Sequence, residues 1–257
     1  MRILVTGGAG FIGSHLVDAL VKNGHSVVVL DNLSTGKREY VHKKAIFYQV
    51  DVQSSRIAQI FEHEKPEIVI HNAAHISVPR SIEDPVSDAN HNIIGSLNVL
   101  EQSRIRQVKK FLFASSGGAI YGQAHIMPTP EDYPLRAPFC SCFAPYCVAK
   151  YAIEHYLMYY QMVHRLPFVA LRFPNVYGPR QNANGEGAVV PAFITKLLQK
   201  ESPIIYGDGN QTRDFVYIDD VVGAYLLILQ NSVSGFLNVS TGHETSINTL
   251  YGKIIKQ

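Results

Sequence analysis

The sequence predicts an α/β fold, a doubly wound parallel sheet with a smaller lobe beside it. Two observations predict the sheet. Apolar, β-branched runs alternate with helical patterns through the first two thirds of the chain, and a glycine-rich loop joins the first run to the first helix. After Asn175 this alternation is lost, and the change of pattern predicts the second lobe.

The apolar runs predict the buried strands Arg2–Thr6, Ser26–Leu30, Ile46–Val50, Ile68–His71, Lys110–Ser115 and Phe168–Arg172. The intervening patterns predict the helices Phe11–Asn23, Ser55–Glu64, Asp88–Arg104 and Tyr146–His164. The stretch Gln123–Pro145 is rich in Pro and Cys and has neither period, so we expect a loop over the mouth of the sheet.

The second lobe has a less regular pattern. It predicts a Gly-rich loop, an amphipathic helix, a short strand and then another loop with a helix, the first three at Tyr177–Gly187, Val190–Gln199 and Ile204–Tyr206. We therefore divide the chain into residues 1–174 and 175–257, two lobes that share one core. A last helix begins at Ser246–Leu250 without a closing Gly or Asn, so we expect the second lobe to be incomplete at its C-terminus.

The composition describes a globular protein and argues against several classes of partner. Hydrophobic residues make up 46% of the 257 residues and charged residues 17%, a balance that disfavours disorder. The net charge of +2 comes from scattered basic residues, so we expect no nucleic-acid partner. No apolar run reaches the roughly 18–20 residues of a membrane span, and the glycine loop begins almost at Met1, which leaves no room for a signal peptide. We therefore expect a cytoplasmic protein.

The three cysteines lie in one stretch, at Cys140, Cys142 and Cys147. They lack the second pair or the histidine set that a zinc site needs, so we expect no metal. We therefore expect the three cysteines to be free thiols in a reducing compartment.

The glycine loop predicts a dinucleotide site of the Rossmann type. Glycines at Gly7, Gly10 and Gly13 follow the first strand and open the first helix. Gly7 and Gly10 permit a tight turn and close approach of a pyrophosphate to the helix N-terminus, while Gly13 allows close packing of helix and strand. This spacing alone is weak evidence, but its position between a strand and a helix makes it strong.

Acidic residues at the ends of the next strands indicate which dinucleotide binds. Asp31 ends the second strand about twenty residues past the glycines, where a carboxylate accepts the adenosine ribose hydroxyls and would repel a 2′-phosphate. Asn32 follows it instead of an Arg, so NAD is favoured, although Lys37 and Arg38 keep NADP open. A further pair, Asp51 and Val52, either borders the adenine ring or caps a turn.

The candidate catalytic pair is Tyr146 and Lys150, spaced i, i+4 at the start of a predicted helix and therefore on one face. A free tyrosine has a pKa near 10, and lowering it to about 7 requires roughly 4 kcal/mol of added phenolate stabilisation. A neighbouring ammonium and an oxidised nicotinamide ring together supply such stabilisation. The alternative is that Tyr146 is a packing aromatic and Lys150 a solvated residue.

Seven segments, in this order, resemble the extended short-chain dehydrogenase/reductase family and most closely its nucleotide-sugar epimerases: TGGAGFIG, LDNLSTG, HNAA, SSGGAIYG, PYCVAK, LRFPNVYGPRQ and GDGNQTRDFVYIDD. The resemblance covers essentially the whole chain. It implies a 4-epimerase that oxidises UDP-glucose or UDP-galactose at C4 with bound NAD and re-reduces the keto-sugar on its other face. It also implies a homodimer, which we expect to pair the helices Asp88–Arg104 and Tyr146–His164 through a face that carries Tyr151, His155, Tyr159, Leu97 and Glu101.

The resemblance assigns roles to individual residues. Tyr146 is the acid/base, and Lys150 binds the nicotinamide ribose and lowers the tyrosine pKa. Asn175 and Arg213 contact the nucleotide diphosphate, Arg213 as a charge-assisted donor, although Arg213 pairing with Asp214 or Asp219 and Asn175 capping a turn are alternatives. Further NAD contacts are expected from the backbone and side chains of the matching motifs, at Gly7, Gly10, Phe11, Ile12, Gly13, Asp31, Asn32, Asp51, Val52, Ala73 and Ala74.

Two departures from the family pattern affect the predicted chemistry. The usual triad Ser/Thr position, four residues before Tyr121, holds Gly117, so we assign its hydrogen-bonding role to the neighbouring Ser116. The Asp-Glu pair of the sugar dehydratases is replaced by Gly118 and Ala119, which disfavours water loss. Another epimerase or dehydratase of this family and a non-catalytic NAD-binding paralogue are the alternatives.

Overall fold

The computed structural model of the chain describes residues 1–134, 144–183 and 188–256, and a seven-stranded parallel sheet lies at its centre. The strands, numbered along the chain, are β1 (Arg2–Thr6), β2 (Ser26–Asp31), β3 (Ile46–Gln49), β4 (Ile68–His71), β5 (Lys110–Ser116), β6 (Phe168–Phe173), β7 (Asn175–Tyr177), β8 (Thr212–Arg213), β9 (Phe215–Tyr217), β10 (Gly235–Asn238) and β11 (Thr245–Ser246). The sheet has the order β3-β2-β1-β4-β5-β6-β10. Because the order reverses between β1 and β4, this is the doubly wound arrangement that the sequence predicts.

The helices are α1 (Phe11–Lys22), α2 (Arg56–Glu64), α3 (Val78–Glu83), α4 (Pro85–Ala89), α5 (Gly95–Ile105), α6 (Gly117–Tyr121), α7 (Pro145–His164), α8 (Val189–Leu198), α9 (Ile218–Gln230) and α10 (Ile247–Ile254). A π-helical turn, Asn90–Ile94, joins α4 to α5, and a 3-10 turn lies at Arg38–Tyr40. Within the described residues, no helix is both long enough and apolar enough to span a membrane.

The two faces of the sheet bury separate apolar clusters, because neighbouring strand residues point to opposite sides. In β1, Ile3 and Val5 pack with α1 and α9, while Leu4 packs on the other face with α2, α5 and α7. The strands β1, β2, β4, β5 and β6 are buried on both faces, which explains the continuous apolar runs by which the sequence reveals the sheet. The polar ends of these strands are thereby brought to one edge.

The predicted helix Asp88–Arg104 is helical throughout, but it begins earlier, at Pro85, and contains a π-helical turn. Asp84 caps α4 through its side chain, Pro85 occupies the first turn, and the π-helical turn follows before α5 begins at Gly95. A Cβ at Gly95 would lie 2.6 Å from the side chain of Val52, so only glycine permits this close approach of helix and loop. The widened turn carries Asn92 toward the backbone of His75, which explains the interruption.

The predicted strand Ile204–Tyr206 is wrong, because this segment pairs with no other strand in the described part of the chain, and Ile204 and Tyr206 are exposed. Sequence analysis missed the four short strands β7, β8, β9 and β11 and, in the large sheet, β10, which pairs in parallel with β6 and places Gly235 beside Val169. Its four residues are only half-buried, so they lack the apolar signal of the central strands.

The residues after 174 form small elements and then return to the large sheet. The strand β7 pairs with β9 and β8 pairs with β11, while α8 packs against α10. The helix α9 packs on α1 and buries Tyr225 in the core, next to the cluster that α1 forms with β1. The last helix begins, as expected, after Ser246, whose side chain accepts the Thr249 N–H.

Within the predicted loop Gln123–Pro145, residues 123–134 contain neither helix nor strand, whereas Pro145 already begins α7. Cys147, two residues after it, is disulfide-bonded, so the expectation of three free thiols is wrong at this residue. Cysteine spacing does not reveal which sulfurs meet when the chain folds. Cys140 and Cys142 lie outside the described residues, as does the end of the Gly-rich loop at residues 184–187.

Candidate active site

The glycine loop connects β1 to α1, and its three glycines serve different purposes. Gly7 has φ of +66°, and a Cβ there would lie 2.7 Å from the Ala73 backbone N. A Cβ at Gly13 would lie 2.1 Å from the Gly7 carbonyl oxygen. At Gly10 the nearest atom would be the same oxygen at 3.3 Å. The fold itself therefore requires glycine at Gly7 and Gly13, whereas Gly10 leaves space at the surface of the loop.

The N-terminus of α1 fits a bound pyrophosphate. Gly10 occupies the N-cap position, and among the described residues no side chain caps this helix end. No acidic residue lies in the first turn, which begins Phe11-Ile12-Gly13. Backbone N–H groups and the positive end of the helix dipole are thus available to an anion.

Asp31 is buried at the end of β2 and is fixed against the glycine loop. Its carboxylate accepts the Ala9 N–H at 2.9 Å and the Leu33 N–H at 2.8 Å. Two lone pairs remain on the carboxylate for ribose hydroxyls. Lys37 and Arg38 are the two basic residues for which NADP remained an alternative, and both contact other side chains. Arg38 lies over the Phe47 ring at 4.5 Å, and Lys37 lies 3.9 Å from Glu39. These contacts favour a cofactor without a 2′-phosphate.

Asp51 caps a turn, which is one of the two roles that the sequence predicts for it. Its carboxylate accepts the Gln53 N–H at 2.8 Å and the Asn32 side-chain amide at 2.7 Å. Burial acts to raise the pKa of Asp51, but these hydrogen bonds and nearby His91 outweigh it and leave the pKa lowered. The cap holds Asp51, Asn32 and the adjoining Val52 at the carboxyl ends of β2 and β3, so its role beside an adenine stays a prediction.

A buried hydrogen-bond network, which sequence analysis missed, lies at the end of β1, next to the glycine loop. Thr6 Oγ1 lies 2.7 Å from His71 Nδ1, His71 Nε2 lies 2.8 Å from Ser96 Oγ, and Ser96 donates to the Asn92 carbonyl. Because Ser96 uses its proton on that carbonyl, His71 donates from Nε2 and accepts at Nδ1. Burial, followed by the charge of Lys150, lowers the pKa of His71 to about 3, so this ring stays neutral.

The same hydrogen-bond network fixes the position of the HNAA segment, residues 71–74. Thr6 Oγ1 accepts the Ala73 N–H at 3.2 Å, which holds Ala73 against Gly7. Ala74 follows, half-buried, at the same edge of the sheet. A histidine at the end of an otherwise apolar buried strand was the available signal for this network.

Tyr146 and Lys150 meet on one face of α7, as their spacing predicts. Lys150 Nζ lies 5.8 Å from the centroid of the Tyr146 ring and 4.6 Å from that of Phe113, and it donates to the Ala114 carbonyl at 2.6 Å. Its side chain is buried, which contradicts the alternative of a solvated lysine. Burial lowers the pKa of Lys150 to about 8, although Glu154 and Asp88 act in the opposite direction. Lys150 therefore loses its proton at a pH closer to neutral than an ordinary lysine does.

Ser116 ends β5, and its Oγ accepts the Ala119 N–H at 3.3 Å as the N-cap of α6. This bond uses a lone pair and leaves the hydroxyl proton free to donate to a ligand. The helix α6 packs against α7, so Ser116 stands at the same edge of the sheet as Tyr146. Its part in the chemistry stays a prediction.

A second buried network, also missed from the sequence, fixes the catalytic helix. Arg172 donates to both carboxylate oxygens of Glu154, at 3.0 and 2.7 Å, and Ser115 donates to the same carboxylate at 2.7 Å. Arg172 also donates to the Tyr121 hydroxyl at 2.7 Å. The pair ties α7 to β5 and β6, and such a bidentate contact holds geometry strongly.

The two expected diphosphate contacts lie on strands of two different small sheets of the smaller lobe. Asn175 begins β7, and its N–H donates to the Asp214 carbonyl at 3.1 Å. Arg213 is exposed on β8 and donates to the Thr212 carbonyl at 2.7 Å. It forms no ion pair with Asp214 or Asp219, both of them described, so that alternative is wrong. Asp214 instead accepts three hydrogen bonds from Thr241 and Gly242.

Comparison with known proteins agrees with this geometry. The model of the NAD dependent epimerase/dehydratase family matches residues 3–240. A UDP-glucose 4-epimerase of Mycolicibacterium smegmatis is 42% identical over 260 residues, which cover 99% of this chain and 82% of the relative.

Two solved structures are similar along the whole chain. A UDP-glucose 4-epimerase from Thermotoga maritima, crystallised with UDP-glucose, matches with a TM-score of 0.95 and 45% sequence identity. The match covers 100% of this chain and 82% of the Thermotoga chain. A UDP-glucose 4-epimerase from Thermus thermophilus, in complex with NAD, has a TM-score of 0.92 and 42% identity, with 100% of this chain and 83% of its own covered.

Proposed function

Because the chain belongs to the NAD-dependent epimerase/dehydratase family, we propose that it interconverts UDP-glucose and UDP-galactose by inverting the sugar at C4. The observation that carries the proposal is the Tyr146 and Lys150 pair, which lies on one face of α7 at the sheet edge that also carries the glycine loop. NAD is the cofactor. The reaction is an isomerisation, so cofactor and protein both return to their starting state.

The protein's own groups in this reaction move and hold one proton. The Tyr146 phenolate takes the proton of the C4 hydroxyl and later returns it, and the Lys150 ammonium favours the ionised form of the phenol. Ser116 donates its free hydroxyl proton to the reacting oxygen. Bound NAD supplies the acceptor for the hydrogen that leaves C4 and is given back on the opposite face.

The remaining residues orient the two ligands. Asp31, Asn32, the glycine loop and the alanines Ala73 and Ala74 hold NAD, while Asn175 and Arg213 hold the diphosphate of the substrate. Dehydration is disfavoured because Gly118 and Ala119, at the positions of the acid and the base that dehydratases use, have no side-chain group that could donate or accept a proton. The division into a cofactor domain of residues 1–174 and a substrate lobe of residues 175–257 belongs to the same proposal, as does a cytoplasmic location.

Purified protein supplied with UDP-galactose tests the proposal. We expect UDP-glucose to form until the two sugars reach equilibrium, without added reductant. If the protein converted only another UDP-sugar, the proposed substrate would be wrong. Firm NAD binding without conversion of any UDP-sugar would favour a non-catalytic paralogue.

We expect NAD to co-purify with the protein, and Gly10→Val to abolish its retention. A side chain at Gly10 meets only the Gly7 carbonyl, so the fold should tolerate it, whereas the pyrophosphate loses its close approach to the backbone. The measurement is cofactor content per protein chain, with circular dichroism to establish folding. Gly252→Val is the control, because a Cβ there has nothing within 4 Å. Wild-type NAD content in the Gly10 variant would refute the assignment of the loop.

We expect a homodimer that pairs α5 and α7 with their copies across a two-fold axis. On α7 the apolar side chains Val148, Tyr159, Met162 and Val163 are exposed along one face, with Ile105 exposed at the end of α5. Of the residues predicted for this face, Tyr151 and His155 are in ring contact beside it, while Leu97 packs toward the core and Glu101 bonds Arg104 and Tyr160.

Tyr159→Glu should convert the dimer to a monomer, because two buried carboxylates would face each other near the axis. Light scattering at micromolar concentration measures the mass. Leu198→Glu, at an exposed site on α8, should leave the dimer intact. A monomeric wild type would count against the pairing.

A further inference from the structure

The carboxylate of Asp88 is buried although half of its hydrogen-bonding capacity is unused. Asp88 lies on α4 with 4% of its surface exposed, and its Oδ1 accepts the Asn92 amide at 2.8 Å. Among the described residues no donor reaches Oδ2, which is itself buried. A buried, partly unpartnered carboxylate is costly to a fold, so its presence calls for an explanation in terms of a nearby charge.

That charge is the ammonium of Lys150. The helix α4 packs against α7. Burial leaves the pKa of Asp88 raised, and the charge of Lys150 acts against this, while Asp88 in turn favours the charged form of Lys150. Lys150 needs such help, because its side chain is 6% exposed and its one described hydrogen bond goes to the neutral Ala114 carbonyl.

A second carboxylate, Glu154, lies one helical turn beyond Lys150 and differs from Asp88 in one respect. Arg172 holds Glu154 in a bidentate ion pair, with 2% and 4% of the two side chains exposed. That pair has no net charge. Asp88 has an amide rather than a cation at Oδ1. Glu154 has the larger effect on the pKa of Lys150, but Asp88 is the carboxylate whose charge is not already paired with an arginine.

From this arrangement, and on the basis of the proposed function, we infer that Asp88 is a positioning residue, the buried counter-ion that keeps Lys150 cationic beside Tyr146. In this role it acts through Lys150 and not on the reacting atoms. It acts by holding a positive charge in an apolar environment where burial alone would remove it.

Other titratable groups lie around the catalytic helix, and the variants below leave these side chains in place. Next to Asp88, His91 adds a weaker attraction, and His71 is neutral. The elements packed against α7 carry in addition Arg80, Glu83, Glu101, Arg104, Lys110, Tyr121 and Arg172.

A nuclear magnetic resonance titration of Lys150 tests the inference without requiring turnover. In NAD-loaded protein labelled with ¹³C in the lysine side chains, the Lys150→Met variant identifies the Lys150 signal. We expect its titration midpoint near 8 in the wild type and lower by roughly one pH unit in Asp88→Asn, because one attractive charge is removed. Asp84→Asn is the matched control: it makes the same change at the exposed N-cap of the same helix, where Asn caps as well as Asp.

The pH profile of kcat/KM gives a second readout. Loss of activity on the alkaline side should begin roughly one unit lower in Asp88→Asn, with activity near wild type at lower pH, where Lys150 stays charged. A purely structural role would instead reduce activity equally at all pH values. Should Asp88→Asn fail to fold, Asp88→Ser keeps a donor and acceptor for Asn92 without the charge.

An unchanged Lys150 midpoint in the folded variant would overturn the inference and leave the proposed function standing. Absence of turnover with any UDP-sugar would instead refute the proposed function, while the titration would still decide the role of Asp88.

Discussion

Tyr146→Phe is expected to retain NAD while turnover of UDP-galactose falls by at least about a hundredfold, the usual scale for losing a general base. The substitution keeps the aromatic ring on α7 and removes only the oxygen that accepts the C4 proton. Lys150 and its bond to the Ala114 carbonyl are unaffected, so the cofactor site should persist. The measurements are initial rate and NAD content on the same preparation.

Tyr151→Phe is the control for that variant. Tyr151 lies on the same helix and packs edge-on against the His155 ring with centroids 4.4 Å apart, a contact that Phe preserves. Its turnover should match the wild type. If Tyr146→Phe epimerised UDP-galactose at nearly the wild-type rate, Tyr146 would be a packing residue and the proposed chemistry would have to be abandoned.

Lys150→Met is expected to reduce turnover by about tenfold to a hundredfold and to move the rise of activity to higher pH. Without the ammonium, the pKa of Tyr146 returns toward the ordinary tyrosine value near 10, so less phenolate is present at neutral pH. NAD should also be retained less firmly, since the proposed ribose contact is lost. A pH profile that overlays that of the wild type would contradict the role of Lys150.

The same variant has a measurable effect on stability. The pKa of Lys150 is lowered from 10.5 to about 8, so the folded state binds fewer protons than the unfolded state between these values. The wild type should therefore gain stability relative to Lys150→Met as pH rises from 8 to 10.5, by about 3 kcal/mol at most. Urea unfolding of both proteins across this window measures the difference.

The parts of the fold that the sequence predicts correctly depend on local patterns. Five of the six strands from β1 to β6 are buried on both faces, the edge strand β3 being the exception, so their apolar runs are easily recognised. The glycine loop is recognisable from three residues and the strand and helix beside it. In contrast, β10 is a half-buried segment that becomes a strand only because β6 lies beside it. Its hydrogen bonds come from a residue more than sixty positions away, so no local pattern encodes them.

The candidate site divides in the same way. The pairing of Tyr146 with Lys150 follows from helical spacing, and Asp31 follows from its distance to the glycines. The partners that set their charge do not. Arg172 meets Glu154 across two elements, and Asp88 lies in a helix that the π-helical turn separates from α5. Such contacts arise from tertiary packing, so only the structure reveals which carboxylate is neutralised and which is left for Lys150.

The central claim is that C4 is oxidised and reduced within one enzyme-bound complex. Its most direct test is the conversion of UDP-galactose that carries deuterium at C4, followed by mass spectrometry and nuclear magnetic resonance of the UDP-glucose formed. The account predicts that the deuterium stays at C4 of the product in full, with none exchanged into water, because the hydrogen returns to the carbon that it left. Loss of the label to solvent, or a label at any other carbon, would contradict it.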